Sequence, residues 1–181
     1  MKLIKLTENY KNEWKSLIDE FEKNQEKIIP LGMRGSSNSF LDFLIESENN
    51  SKGINLSNGI VPSDIYFLVK DKSKFLIGAI DIRHYLNEKL LKSGGNIGYG
   101  VRPSERNKGY ATQMLALALE KCKEMQIPRI LITCSKDNIA SANVIINNGG
   151  ILENEIIENG VIKQRYWISL YTLDRVLFCS L

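Results

Sequence analysis

The sequence predicts one α/β (α+β) domain, a single mixed and mostly antiparallel sheet with helices on both faces. Three observations predict it. A chain of 181 residues with 43% hydrophobic and 25% charged content is the size and make-up of one globular domain with a full core. Segments of helical apolar spacing alternate with runs of β-branched and aromatic residues that read as strands. Residues 96–134 form a strand, helix, strand crossover, which places helices on both faces of the sheet.

The elements follow in order. Lys2 to Leu6 is a short first strand, and Tyr10, Trp14, Leu17, Ile18 and Phe21 then fall at the spacing of a helix for which Thr7 is available as N-cap. A second helix is expected from Phe40 to Glu46 behind the cap Ser39, with the polar stretch from Glu46 to Asn58 as a surface loop. From Asp64 the period changes: 65–69 and 75–82 are strand-like and form an antiparallel hairpin about the turn at 71–74. A loop holding Leu86 to Gly95 leads to a strand from Asn96 to Val101, which Pro103 stops because proline cannot donate to a ladder. Gly109 to Met125 is a buried helix carrying Leu115, Ala118 and Cys122 on one face, and Arg129 to Cys134 is a strand. A helix from Ile139 ends at Gly149-Gly150, and strands at 151–157 and 161–169 make a hairpin about Glu158-Asn159-Gly160. This divides the domain into N-terminal helices over 1–63, a core with its hairpin over 64–170, and an apolar tail over 171–181, free to pack on the core or on another chain, as in a homodimer.

Composition narrows the function. The 24 basic and 21 acidic residues leave a net charge of only +3 and are interleaved, which argues against a nucleic-acid binder. Cys122, Cys134 and Cys179 lie far apart without a C-x-x-C or histidine-rich companion, so neither a disulfide framework nor a metal site is expected. No signal-peptide core and no membrane-spanning run is seen, so the expected location is the cytoplasm, with no membrane partner.

The informative stretch is Arg106-Asn107-Lys108-Gly109-Tyr110-Ala111-Thr112, where a strand has ended at a proline and a helix rich in small residues begins. Free N–H groups of a helix start converge on one spot, and Arg106 and Lys108 add formal charge beside them. Gly109 lets a phosphate approach the backbone, and Ala111 keeps the next turn slim. Neither a nucleotide P-loop nor a G-x-G-x-x-G unit is present, so a different phosphorylated ligand is required.

This stretch resembles the Q/R-x-x-G-x-G/A signature of the GNAT N-acetyltransferases, which wraps the pyrophosphate of acetyl-coenzyme A. The surroundings are similar too: Val101-Arg102-Pro103 matches the Val-x-Pro strand end, while Asn138 and Gly149-Gly150 match the family's downstream Asn and Gly-Phe pair. Within that family the chain most resembles a bacterial branch of predicted acetyltransferases, which shares the runs Ile82 to Asn87 and Gly98 to Arg106. The resemblance covers roughly residues 64–168 and implies acetyl-coenzyme A as co-substrate, held by Tyr99, Val101, Arg106 to Thr112, Asn138 and Ser141, with no metal. It implies an amine acceptor of small-molecule or amino-acid-like type, walled by residues 7–62, and direct transfer in a ternary complex.

One departure stands out. Many GNAT enzymes carry a tyrosine seven residues after the strand-end asparagine, where it protonates the departing thiolate; here that position is Ile145, so the acid is unassigned. For the base, His84 is the only histidine and its reference pKa of about 6.5 suits the task. Asp81 is the alternative, with Arg83 as a contact for an anionic group of the substrate. Strand alternation puts Asp81 and Arg83 on one face and Ile82 and His84 on the other. Two other readings compete with an enzyme: an acyl-coenzyme A sensor without turnover, and a nucleic-acid binder that would need an aromatic platform not seen here.

Overall fold

Among the described residues, seven strands form two antiparallel sheets that meet edge to edge at one point. The first has the order β1-β2-β3-β4, with β1 at Lys2–Ile4, β2 at Ser63–Val69, β3 at Leu76–Arg83 and β4 at Ile97–Val101. The second has the order β5-β7-β6, with β5 at Arg129–Ser135, β6 at Ile151–Glu158 and β7 at Val161–Ser169. Every ladder is antiparallel. This computed structural model describes residues 1–37, 39–70 and 72–171, so Asp71 of the expected 71–74 turn and the tail beyond Tyr171 lie outside the described residues.

The single sheet expected from the crossover is thus divided where β4 and β5 part. At the closed end Asn96 holds both chains: its N–H donates to the Leu131 carbonyl at 2.7 Å, and its side-chain oxygen accepts from the Leu131 N–H at 2.9 Å. Beyond that point the two strands diverge, and their facing edges have backbone groups to offer.

Helices α1 (Lys11–Lys23) and α2 (Phe40–Lys52) cover one face of the first sheet, and α3 (Tyr110–Glu124) and α4 (Ile139–Asn147) lie on the other side. Each side has its own core because β2 and β3 are buried on both faces. Phe67, Ile65 and Ala79 pack with Trp14, Leu17, Phe21, Phe40 and Phe43, while Leu68, Ile80 and Ile82 pack with Met114, Leu115 and Ala118. Trp14, Phe40 and Phe43 form a ring cluster with centroids 5.2–5.9 Å apart. The Trp14 indole N–H reaches the Met33 carbonyl at 2.8 Å and so ties the segment after α1 to the core.

Two expectations are corrected. Thr7 precedes a short 3-10 turn at Glu8–Tyr10, its side chain caps nothing, and the α-helix begins at Lys11. Helix α2 runs on through Lys52 to stop at Gly53, into the stretch read as loop. Its second half packs polar side chains, Ser51 bonding Asp64 at 2.7 Å, so no apolar period was there to mark it, whereas the Ser39 cap, accepting from the Asp42 N–H at 3.3 Å, stands as expected. No helix among the described residues is long and apolar enough to cross a membrane.

Candidate active site

The cleft between the diverging strands is built on Arg102. Its guanidinium is buried, donates to Ser16 Oγ at 2.9 Å, lies 3.1 Å from Glu20 and sits 4.4 Å from the Phe75 ring. That anchorage fixes the strand end, after which Pro103 opens a single 3-10 turn at 103–105. Asn107 (φ 60°) and Gly109 (φ 76°) then adopt left-handed backbone, folding the chain into an amide-lined concavity. Gly109 is the N-cap of α3 and brings no side-chain acceptor, so the first N–H groups of the helix face the cleft unclaimed. A Cβ built at Gly109 would meet nothing within 4 Å, so the space in front of the turn is open.

The formal charges beside the turn are already occupied. Arg106 donates to the Val101 carbonyl at 3.2 Å and to both oxygens of Glu26 at 2.9 and 2.5 Å, and it stands 5.8 Å from the Phe21 ring centroid. This hydrogen bonding holds the Glu26 carboxyl below its ordinary pKa. Lys108 reaches the Ser104 carbonyl at 3.0 Å and Glu105 at 3.1 Å. An anion placed here would meet backbone amides first and side chains second.

The cavity in front of the turn measures about 520 Å³, and every residue expected around the cofactor except Lys108 lines it. Its far wall is Phe21, Glu26, Lys27 and Ile29, which no local sequence motif announced. At the bottom, Asn138 caps α4 by accepting from the Ser141 N–H at 3.0 Å. The Tyr99 hydroxyl lies 2.9 Å from Ser141 Oγ, and burial pushes its pKa up to about 12. Ile145 is fully buried and apolar, and the nearby Cys134 thiol is raised by burial.

A second cavity, about 240 Å³, lies on the α1 and α2 side, lined by Leu31, Gly32, Glu46, Ser63 and Asp81 among others. Asp81 is 7% exposed; burial raises its pKa, with Arg83 3.7 Å away pulling the other way. Arg83 also donates to the Gly95 carbonyl at 3.0 Å. Glu46 accepts from the Ser36 backbone at 2.7 Å and from the Ser36 hydroxyl. The segment 29–32 runs between the two cavities. Asp81 pairs with Gly98, and the Ile29 carbonyl presses on Gly100 so closely that a Cβ there would sit 2.0 Å from it. Ile29 lines the first cavity while Leu31 and Gly32 line the second.

His84 is brought to neither cavity. Its Nε2 lies 2.9 Å from Asp64, which also binds Lys5 at 2.5 Å and Ser51 at 2.7 Å. Against the upward push of burial, the hydrogen bonds from Lys5, Ser51 and His84 keep the Asp64 carboxyl below its ordinary pKa. Among the described residues no cluster of His, Cys, Asp or Glu could hold a metal ion.

The description "Acetyltransferase (GNAT) domain" matches residues 36–151, more than half of the chain. The uncharacterized N-acetyltransferase YnaD of Bacillus subtilis (strain 168) is 29% identical over 132 residues, covering 71% of this chain and 75% of that protein. Two solved structures share the fold across most of the chain. One is the microcin C7 self-immunity acetyltransferase MccE in complex with acetyl-CoA and AMP (TM-score 0.65, 20% identity, 92% of this chain and 91% of that one). The other is RimL, a ribosomal L7/L12 alpha-N-protein acetyltransferase in complex with coenzyme A (TM-score 0.64, 18% identity, 92% of both chains).

Proposed function

This chain belongs to the GNAT family of N-acetyltransferases, and on that premise we propose that it moves an acetyl group from acetyl-coenzyme A to the amine of a small acceptor, directly, within a ternary complex. The observation that carries the reading is the turn at 107–112, where unclaimed amides at the start of α3 face an open cavity. Those amides would hold the pyrophosphate, and the free edge of β4 at Tyr99 to Val101 would run beside the pantetheine arm. Acetyl-coenzyme A brings an acetyl group already activated as a thioester.

The second cavity suits the acceptor. Asp81 lines it from β3 and pairs with Gly98 of β4, whose missing side chain leaves room beside Arg83 and Pro30. An ammonium group has no lone pair, so a group that takes its proton must stand beside it, and a buried carboxylate with a raised pKa meets that need better than an exposed one. Asp81 is therefore the proposed base and Glu46 a second anionic wall. His84, committed to Asp64 outside both cavities, is given a structural part. Arg83 is assigned to supporting Asp81 and the loop at Gly95, with the acceptor's anionic group as its further contact.

A sensor that binds acetyl-coenzyme A without turnover is the second reading, favoured by the buried apolar Ile145. Incubation with acetyl-coenzyme A and a broad panel of amines, read by thiol release, separates the two. Acceptor-dependent thiol supports the enzyme, whereas binding without release from any amine supports the sensor.

A further inference from the structure

We propose that the Tyr99 hydroxyl is the hydrogen-bond donor that receives the coenzyme A sulfur as it departs, so that β4 supplies a group α4 lacks. The inference rests on the larger cavity being the acetyl-coenzyme A site.

Tyr99 lines that cavity, and its hydroxyl meets α4 at Ser141, 2.9 Å from Oγ and 3.3 Å from the backbone oxygen. Ser141 and Ile145 are one helical turn apart and so lie on the same face of α4. The hydroxyl thus comes to the helix from the opposite strand, one turn before a position that holds only a buried isoleucine. Tyr110, the other tyrosine in the wall, stands at the start of α3 with Lys70 5.4 Å from its ring, beside the phosphate turn.

A phenol is protonated at neutral pH at its ordinary pKa and burial raises it further, so Tyr99 is a donor toward an anion. The titratable group facing it is Cys134 on β5, a thiol that burial likewise pushes up. Ser141 Oγ can both accept from Tyr99 and donate to it, so when the tyrosine proton turns to sulfur the serine proton can replace it on the phenol oxygen. In the transfer, the new N–C bond forms, the C–S bond breaks and its electron pair stays on sulfur. The proton shed by the amine nitrogen finally neutralises the thiolate, and Tyr99 keeps its own.

The test uses coenzyme A itself, bound to the full chain, with its thiolate followed by ultraviolet absorbance as pH rises and the titration of the ligand-free protein subtracted. A hydrogen bond to the anion lowers the pH at which bound thiol ionises, by about one to two units relative to Tyr99→Phe. Ser141→Ala falls between the two. Each titration is run at coenzyme A saturating for that variant, so a change of affinity does not enter the comparison. Identical titrations in wild type and Tyr99→Phe overturn the proposal. Should Tyr99→Phe fail to fold, an unchanged titration in Ser141→Ala overturns it as well. If wild type binds no coenzyme A, the functional reading falls and takes this one with it; binding with an unmoved titration sinks this one alone.

Discussion

Glu26 grips both arms of the Arg106 guanidinium, at 2.9 and 2.5 Å, from the wall of the cleft opposite the phosphate turn. A residue whose motif position suggests a phosphate ligand is therefore also a strut between the turn and the segment after α1.

The first prediction follows from that pairing. Glu26→Gln removes a negative charge beside the proposed pyrophosphate site and releases the guanidinium, so affinity for coenzyme A rises severalfold at low salt and the gain shrinks as ionic strength increases. Arg106→Ala weakens binding by about tenfold or less, because backbone amides carry the larger share. Calorimetry across a salt series checks both, and weaker binding by Glu26→Gln would contradict the competition.

The turn itself makes the second prediction. Gly109→Val places a β-branched side chain in left-handed backbone, which costs about 1–2 kcal/mol of stability, but its Cβ meets no protein atom and the chain still folds. The added methyls stand where a phosphate would lie, so coenzyme A binding is lost. Circular dichroism together with calorimetry reads the two effects separately; a folded variant with wild-type affinity would remove the phosphate turn from the site.

Ligand fragments supply the third. A ligand that binds only the native state stabilises it by about 2.7 kcal/mol at a hundredfold excess over Kd. Acetyl-coenzyme A therefore raises Tm by several degrees, and pantetheine, which lacks the pyrophosphate, raises it far less at the same concentration. Equal shifts would place the binding energy outside the turn.

The fourth concerns Asp81 and His84. Asp81→Asn lowers kcat by roughly two to four orders of magnitude with little change in coenzyme A affinity, while His84→Ala keeps most of the turnover. The reverse pattern would return the base role to His84. Stability gives a second readout. A carboxyl raised by burial binds its proton more tightly when folded, so wild type loses stability as pH climbs from about 4 through the raised pKa. Asp81→Asn removes that slope. Its Tm exceeds that of wild type at neutral pH, and the gap closes toward about pH 4, near the unfolded carboxyl's pKa.

Much of this was legible in the chain, and the limits have physical causes. The turn proposed to hold phosphate is local: Pro103, Gly109 and the start of α3 lie within a few residues, so composition and order carry the signal. The alternation along β3 likewise separates Asp81 from His84 by face, as the pairing of Asp81 with Gly98 and the contact of His84 with Asp64 show. What stayed hidden is tertiary. Nothing near Glu26 foretells a partner 80 positions away, and nothing near Ser141 foretells Tyr99. The second half of α2 was unreadable because a helix that packs polar side chains leaves no apolar period.

Asn96 has a mechanical consequence. Because it clasps Leu131 twice at the closed end of the cleft, the two sheets resemble the arms of a pair of tongs with a fixed fulcrum. The clasp fixes their separation at one end, and the gap widens along the arms from there. Grip is therefore set at the fulcrum and felt farthest out, where the turn before α3 faces the start of α4.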